Sequence, residues 1–212
     1  MCIRDSRNIV QTSRNEKPID YVVKLINTRS QGWQYKHYSD KEVIDFFKEN
    51  PLQEFPYIIQ KFYSLSYGEH RADLFRYYYL YIKGGVYFDT DLMIENNIDE
   101  IIKDYEFVSV NSSYFPNSIF QGFIACIPNH SILYNGLKNL YETPNEKLIA
   151  HPSNFHDICR NFYNFVMNYD NKGKIYLYQE VFGDKLTANI IDKETKLIVM
   201  KHYHINKIIP LN

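Results

Sequence analysis

The sequence predicts an α/β fold, a single domain with a mainly parallel central sheet flanked by helices. Strand-like and helix-like segments alternate along the chain, as they do when parallel strands are joined by crossover helices. Its 212 residues suffice for one compact core. No internal repeat interrupts them, and with Gly and Pro at 8 each there is no long linker. Residues 1–7 are read as a leader, non-native or disordered, and 8–212 as the domain.

Asn8 to Thr12 reads as the first strand. From Pro18 to about Ser30, Ile19, Val22, Val23 and Ile26 recur at helical spacing behind a proline suited to a first turn. Trp33 to Tyr38 alternates as a second strand. Asp40 caps a helix through Phe47, and Glu54 to Tyr63 suggests another. Glu69 to Lys83 gives the clearest helical pattern, with Ala72, Phe75, Tyr79 and Ile82 at three- and four-residue steps before Gly84-Gly85. Val86-Tyr87-Phe88 is a short strand running into Asp89-Thr90-Asp91. Strands follow at 107–110 and 119–126, helices at 132–140 and 155–167, and closing strands at 175–178 and 196–200.

Composition excludes several classes. A 45% hydrophobic and 23% charged chain has the material for a core, so intrinsic disorder is excluded. With Lys+Arg 24 against Asp+Glu 25, there is no basic excess for general nucleic-acid binding. The apolar runs are far shorter than the roughly 20 residues that cross a bilayer, which leaves peripheral membrane contact open. No secretory signal pattern opens the chain, and three cysteines without a C-x-x-C pair argue against a disulfide framework. The expected location is cytoplasmic. Tyr 20 and Phe 14 are high, but AT-rich codons explain such counts better than sugar-stacking surfaces do.

The chemistry concentrates at Asp73, Arg76, Asp89 and Asp91. Carboxylates at i and i+2 of an extended segment point to one side. They repel unless a cation lies between them, and oxygen ligands suit Mn2+ or Mg2+. Asp73 and Arg76, three apart, share a helix face, either as a surface ion pair or as hydrogen-bonding partners of a bound sugar and its phosphate.

The run Ala72-Asp73-Leu74-Phe75-Arg76-Tyr77, then Leu80-Tyr81, then Gly84 to Asp91, resembles the signature of glycosyltransferase family 32. Ile9-Val10-Gln11-Thr12 is similar to that family's first strand. Gly122-Phe123-Ile124-Ala125 with Pro128 and His130 is similar to a later segment. Val10 stands where the family usually has His, Ser13 where a Trp often follows, and Gln121 where Asn is common. The resemblance implies a GT-A (Rossmann-like) fold, a UDP- or GDP-sugar donor, a divalent metal and transfer with retention to a glycan or lipid-linked acceptor. It implies Asp73 and Arg76 at the donor sugar, Asp89 and Asp91 at the metal, and Tyr87 packed beside them. It further implies Gln11 and Thr12 near the base, with Gly85, Gln121 and Gly122 in the donor site. His202 and His204 share one strand face, and His204 is assigned as an added metal ligand; Glu180 and Asp184 would lie near the sugar. Two other readings stay open. One is a haloacid-dehalogenase-type phosphatase, whose pattern wants Thr or Val where Met93 stands. The other is a relative that binds nucleotide sugar without turnover.

Overall fold

A computed structural model describes residues 2–14, 19–183 and 187–203. In chain order its elements begin with β1 (Asn8–Thr12), α1 (Asp20–Arg29), β2 (Gln34–Tyr38), α2 (Asp40–Glu49) and α3 (Ile58–Ser64). Next come α4 (Gly68–Lys83), β3 (Gly85–Phe88), β4 (Leu92–Ile94), α5 (Ile98–Ile102), β5 (Phe107–Asn111) and β6 (Ile119–Cys126). The chain finishes with α6 (Ser131–Glu142), α7 (Asn145–Ile149), α8 (Asp157–Met167), β7 (Ile175–Phe182), β8 (Thr187–Ile191) and β9 (Ile198–Tyr203).

Local chemistry explains most boundaries. Ser39, not Asp40, caps α2: its Oγ accepts from Glu42 N while Glu42 Oε2 accepts from Ser39 N at 2.9 Å. The helix expected from Glu54 starts only at Ile58, because Pro56 disfavours helical backbone in the residue before it. Gly84 (φ +63°) and Gly85 (φ +101°) turn the chain from α4 into β3. A Cβ on Gly85 would lie 2.3 Å from Asn8 O, so glycine lets β3 lie beside β1. Residues 3–5, inside the expected leader, form a single 3-10 turn, and Ile3 is fully buried in the core.

The nine strands make one sheet in the order β2-β1-β3-β6-β5-β7-β8-β9-β4. It is mixed, not mainly parallel. Only the β1–β2, β1–β3 and β5–β7 pairings are parallel, whereas β3–β6, β5–β6, β7–β8, β8–β9 and β4–β9 are antiparallel. The reason lies in the connections: β5–β6 and β8–β9 are joined by short loops, which reverse direction, whereas parallel neighbours need long crossovers. One face of the sheet packs an aromatic-rich layer from α2, α4, α6 and α8, where Tyr77 stacks on Phe162 with centroids 4.8 Å apart. The other packs an aliphatic layer that includes Val22 and Ile26 of α1 and Ile98, Ile101 and Ile102 of α5.

One topological fact positions the site. β3 is third in the sheet and β4 is at the far edge, yet only residues 89–91 separate them. Four residue steps reach no more than roughly 14 Å. The sheet must therefore curl so that β9 and β4 return to the end of β3. The acidic pair spans that seam.

Candidate active site

The site starts on α4. His70, Asp73 and Arg76 follow at three-residue steps, so they lie on one face of the helix, and all three are buried. Buried charge is costly unless paired, and here the pairing is complete. Arg76 Nη1 lies 3.4 Å from Asp73 Oδ1, and Nη2 lies 3.0 Å from Asp89 Oδ1. Its Nη1 also donates to the Gln121 carbonyl, and its guanidinium sits 4.2 Å from the centre of the Tyr87 ring. Burial pushes the Asp73 carboxyl up from its ordinary pKa, partly opposed by Arg76. Burial alone would lower Arg76, but Asp89, Tyr87 and Asp73 outweigh it and keep it cationic. Tyr87, raised well above its usual pKa by burial, stays a phenol and donates to Asp89 Oδ1 at 2.9 Å.

Asp89 is therefore held through Oδ1 and its backbone. Its backbone N donates to Gly122 O at 2.8 Å, and its carbonyl accepts from Gln11 Nε2 at 3.0 Å. Gly122 has no room for a side chain, since a Cβ would lie 2.9 Å from Asp89 Oδ2 and 2.2 Å from the Phe120 ring. Asp91 is supported from elsewhere. His202 Nε2 of β9 lies 3.5 Å from Asp91 Oδ2, and its Nδ1 lies 3.6 Å from Glu180 Oε1 of β7. Glu180 is fully buried, and its Oε2 accepts from Ser112 Oγ and Ser113 N. Burial would discharge His202, but the two carboxylates overcome it and raise its pKa to about 9.

Asp73, Arg76, Tyr87, Asp89 and Asp91 face a cleft of about 630 Å³, with His202 and Glu180 behind it, within the range of small-molecule sites. Thr12, Ser13 and Arg14 after β1 form one wall, the N-terminal part of α4 and Asp89 to Asp91 the floor, and Phe120, Gln121, Phe155, His156 and Cys159 the opposite wall. Of the residues expected at the site, Asp73, Arg76, Tyr87, Asp89, Asp91, Thr12, Gln121 and Gly122 come together on this cleft. Gln11 does not reach it. It is fully buried, accepting from Tyr35 Oη at 2.8 Å while it donates to Asp89, so it orients the acidic segment and does not touch a base. Gly85 is likewise buried against β1 and serves backbone packing. His204 and Asp184 lie outside the described residues. Among the described residues no group of three or more His, Cys, Asp or Glu is arranged to hold a metal. Sequence reasoning missed His70, Phe155, His156 and Cys159; no motif marks them, because three separate loops and helices bring them to the cleft.

Residues 5–108 match the model of the glycosyltransferase sugar-binding region containing the DXD motif, and Asp89-Thr90-Asp91 is the Asp-x-Asp within it. This region belongs to that glycosyltransferase family. The chain is 27% identical over 124 residues to inositol phosphoceramide mannosyltransferase 1 of Schizosaccharomyces pombe, a match covering 58% of this chain and 37% of that protein. The chain is also 29% identical over 108 residues to mannosyl phosphorylinositol ceramide synthase SUR1 of Saccharomyces cerevisiae, covering 51% of this chain and 26% of that one. The chain thus spans well under half the length of these curated relatives. A solved structure titled PaToxG Glycosyltransferase superposes with a TM-score of 0.54 at 14% identity, covering 78% of this chain and 72% of that chain. The glycosyltransferase fold is shared. Among the described residues no helix is long and apolar enough to cross a membrane.

Proposed function

We propose that the chain transfers a sugar from a nucleotide-sugar donor to a glycan or lipid-linked acceptor, with a divalent cation and retention of anomeric configuration. The carrying observation is the placement of Asp89 and Asp91 at the end of β3, facing one cleft with Asp73 and with Arg76 bound to Asp89. The residues fit a cation that takes most of its ligands from substrate. Asp91 and the Oδ2 side of Asp89 offer hard oxygens, and the missing ligands are the diphosphate and water, as Mg2+ and Mn2+ sites commonly have. When bound, the metal neutralises the charge that the diphosphate gains as the glycosidic bond breaks.

The protein residues do the rest. Arg76 has its hydrogens committed to Asp89, Tyr87 and Gln121 O, so it aligns carboxylates and does not grip phosphate. Asp73 accepts from donor-sugar hydroxyls, and its negative charge stabilises the cationic character growing on the sugar ring. His202, cationic between Glu180 and Asp91, stands beside the diphosphate end and adds a positive charge there. Thr12 and the residues after it take the nucleoside. The fungal relatives named for mannosyl transfer to inositol phosphoceramides make GDP-mannose the first donor to try.

The test is a screen of UDP- and GDP-sugars by thermal shift and donor hydrolysis, with and without Mn2+. The expected result is one donor that stabilises the fold in a metal-dependent manner, by mass action, and is slowly hydrolysed. Metal-dependent binding with no hydrolysis or transfer would select the non-catalytic reading instead.

A further inference from the structure

The cleft does not end at the donor-sugar residues. Beyond Gln121 and Cys159, whose Sγ accepts from Gln121 Nε2 at 3.3 Å, its wall continues into the 3-10 turn Pro152–His156 ahead of α8. There Phe155 and His156 line the cleft. They are the middle of a continuous row of rings that leaves the cleft in both directions. Tyr67 lies 4.9 Å from Phe155, His156 4.9 Å from Phe155, and Phe115 3.8 Å from His156; Tyr114 is 6.4 Å from Phe115, and Phe182 is 4.7 Å from Tyr114. Four separate segments contribute these six rings, so no local sequence pattern produces the row. Its ends are open to solvent: Phe182 is 56% exposed, Tyr114 44% and Tyr67 40%.

We infer that this aromatic row is the acceptor subsite, binding a neutral oligosaccharide of pyranose units across the cleft from the nucleoside wall. Resting on the glycosyl-transfer reading above, the inference names the acceptor class. Three observations select that occupant. Phe155 and His156 line the same cleft as Asp73, so a chain lying on the row leads into the donor site. Consecutive rings meet mostly edge to face, and the exposed surfaces of Tyr67, Tyr114 and Phe182 suit pyranoses, whose C–H faces are apolar while their hydroxyls stay in water. Charge points the same way. Arg160, close to His156, is paired with Asp157 and donates to Ser153 O, and burial shifts His156 toward its neutral form. An anionic lipid surface would instead need a cluster of free Lys and Arg beside the rings.

The deciding experiment is a binding titration by saturation-transfer NMR, using methyl α-mannoside, mannobiose and mannotriose, with the wild type, Phe182→Ala, the double variant Tyr114→Ala/Phe182→Ala and His156→Ala. These side chains are partly exposed, and melting curves confirm folding. Mannotriose affinity is expected to fall about tenfold in the double variant, with methyl α-mannoside binding unchanged. His156→Ala should weaken all three sugars. Equal mannotriose binding by wild type and double variant overturns the inference, as does a wild type that binds none of the three. Sedimentation with phosphatidylcholine–phosphatidylinositol vesicles that depends on Phe182, without sugar binding, also overturns it. Because the titration needs neither metal nor turnover, loss of donor hydrolysis in the wild type would strike only the glycosyl-transfer reading.

Discussion

Asp89 and Asp91 stand two residues apart, yet the protein supports them by different means. Asp89 is gripped by groups from the same sequence block, Arg76 and Tyr87, with Gly122 and Gln11 closing on its backbone. Asp91 depends on His202 and, behind it, Glu180, both contributed more than 85 residues later by strands that return only because the sheet curls. One carboxylate is therefore part of the fold's electrostatic balance. The other is presented to the cleft on a distant bracket, and substitutions should separate them.

The largest effect is expected at the guanidinium. Arg76→Ala leaves the buried Asp73 without its cation, and breaking such a pair costs ~3–5 kcal/mol. Urea unfolding should show that loss, with Arg76→Lys recovering only part, because an ammonium cannot serve Asp73, Asp89 and the Gln121 carbonyl together. An Arg76→Ala protein as stable as wild type would show that α4 does not bury this network.

Acid should test the core layer independently of the site. His130 caps α6 by accepting from Ile132 N at 3.2 Å, and burial lowers its pKa to about 4. The unfolded chain takes up that proton near pH 6.5, so between the two values the unfolded state binds more protons. Stability should be full above pH 6.5 and fall by up to ~3 kcal/mol as pH drops toward 4. In His130→Asn, which keeps a capping oxygen, that part of the slope should vanish from denaturation curves recorded across the window.

The two aspartates themselves give the next contrast. Asp89→Asn removes the charge facing Arg76 and should cost ~1–2 kcal/mol along with activity. Asp91→Asn should leave the unfolding free energy within ~0.5 kcal/mol of wild type while abolishing Mn2+-dependent nucleotide-diphosphate binding. Equal destabilisation by both, with donor hydrolysis preserved, would make the pair a structural turn.

Gly122→Ala should cost only about 1 kcal/mol of stability, because the Phe120 ring can swing aside. Donor hydrolysis should still drop, since the added methyl presses on Asp89 Oδ2. Unchanged turnover would mean that the position of Asp89 tolerates movement.

Much of this was legible in the chain. Periodicity marks α4 as a helix, but not its burial: the helix is enclosed all round from Asp73 to Leu80, which a three- to four-residue stripe does not announce. The double glycine announces the turn into β3, and Asp73, Arg76 and the Asp-x-Asp lie close enough in sequence for one helix and one strand to bring them together. Less legible were β4, α5 and α7, three to five residues each, too short to show a period. Gln11 was legible as a site residue but not in its role, since whether an amide faces ligand or backbone depends on what lies across the sheet.

The sequence by itself determined the α/β class, the helix-glycine-strand block and the identity of the acidic pair, because these rest on interactions between residues close along the chain. Only the tertiary structure decided the mixed sheet, the His202–Glu180 support of Asp91 and the row of rings from Tyr67 to Phe182. Those depend on curling a nine-stranded sheet until its edge meets its third strand. That closure is set by the summed packing of both faces, and no short segment of the chain encodes it.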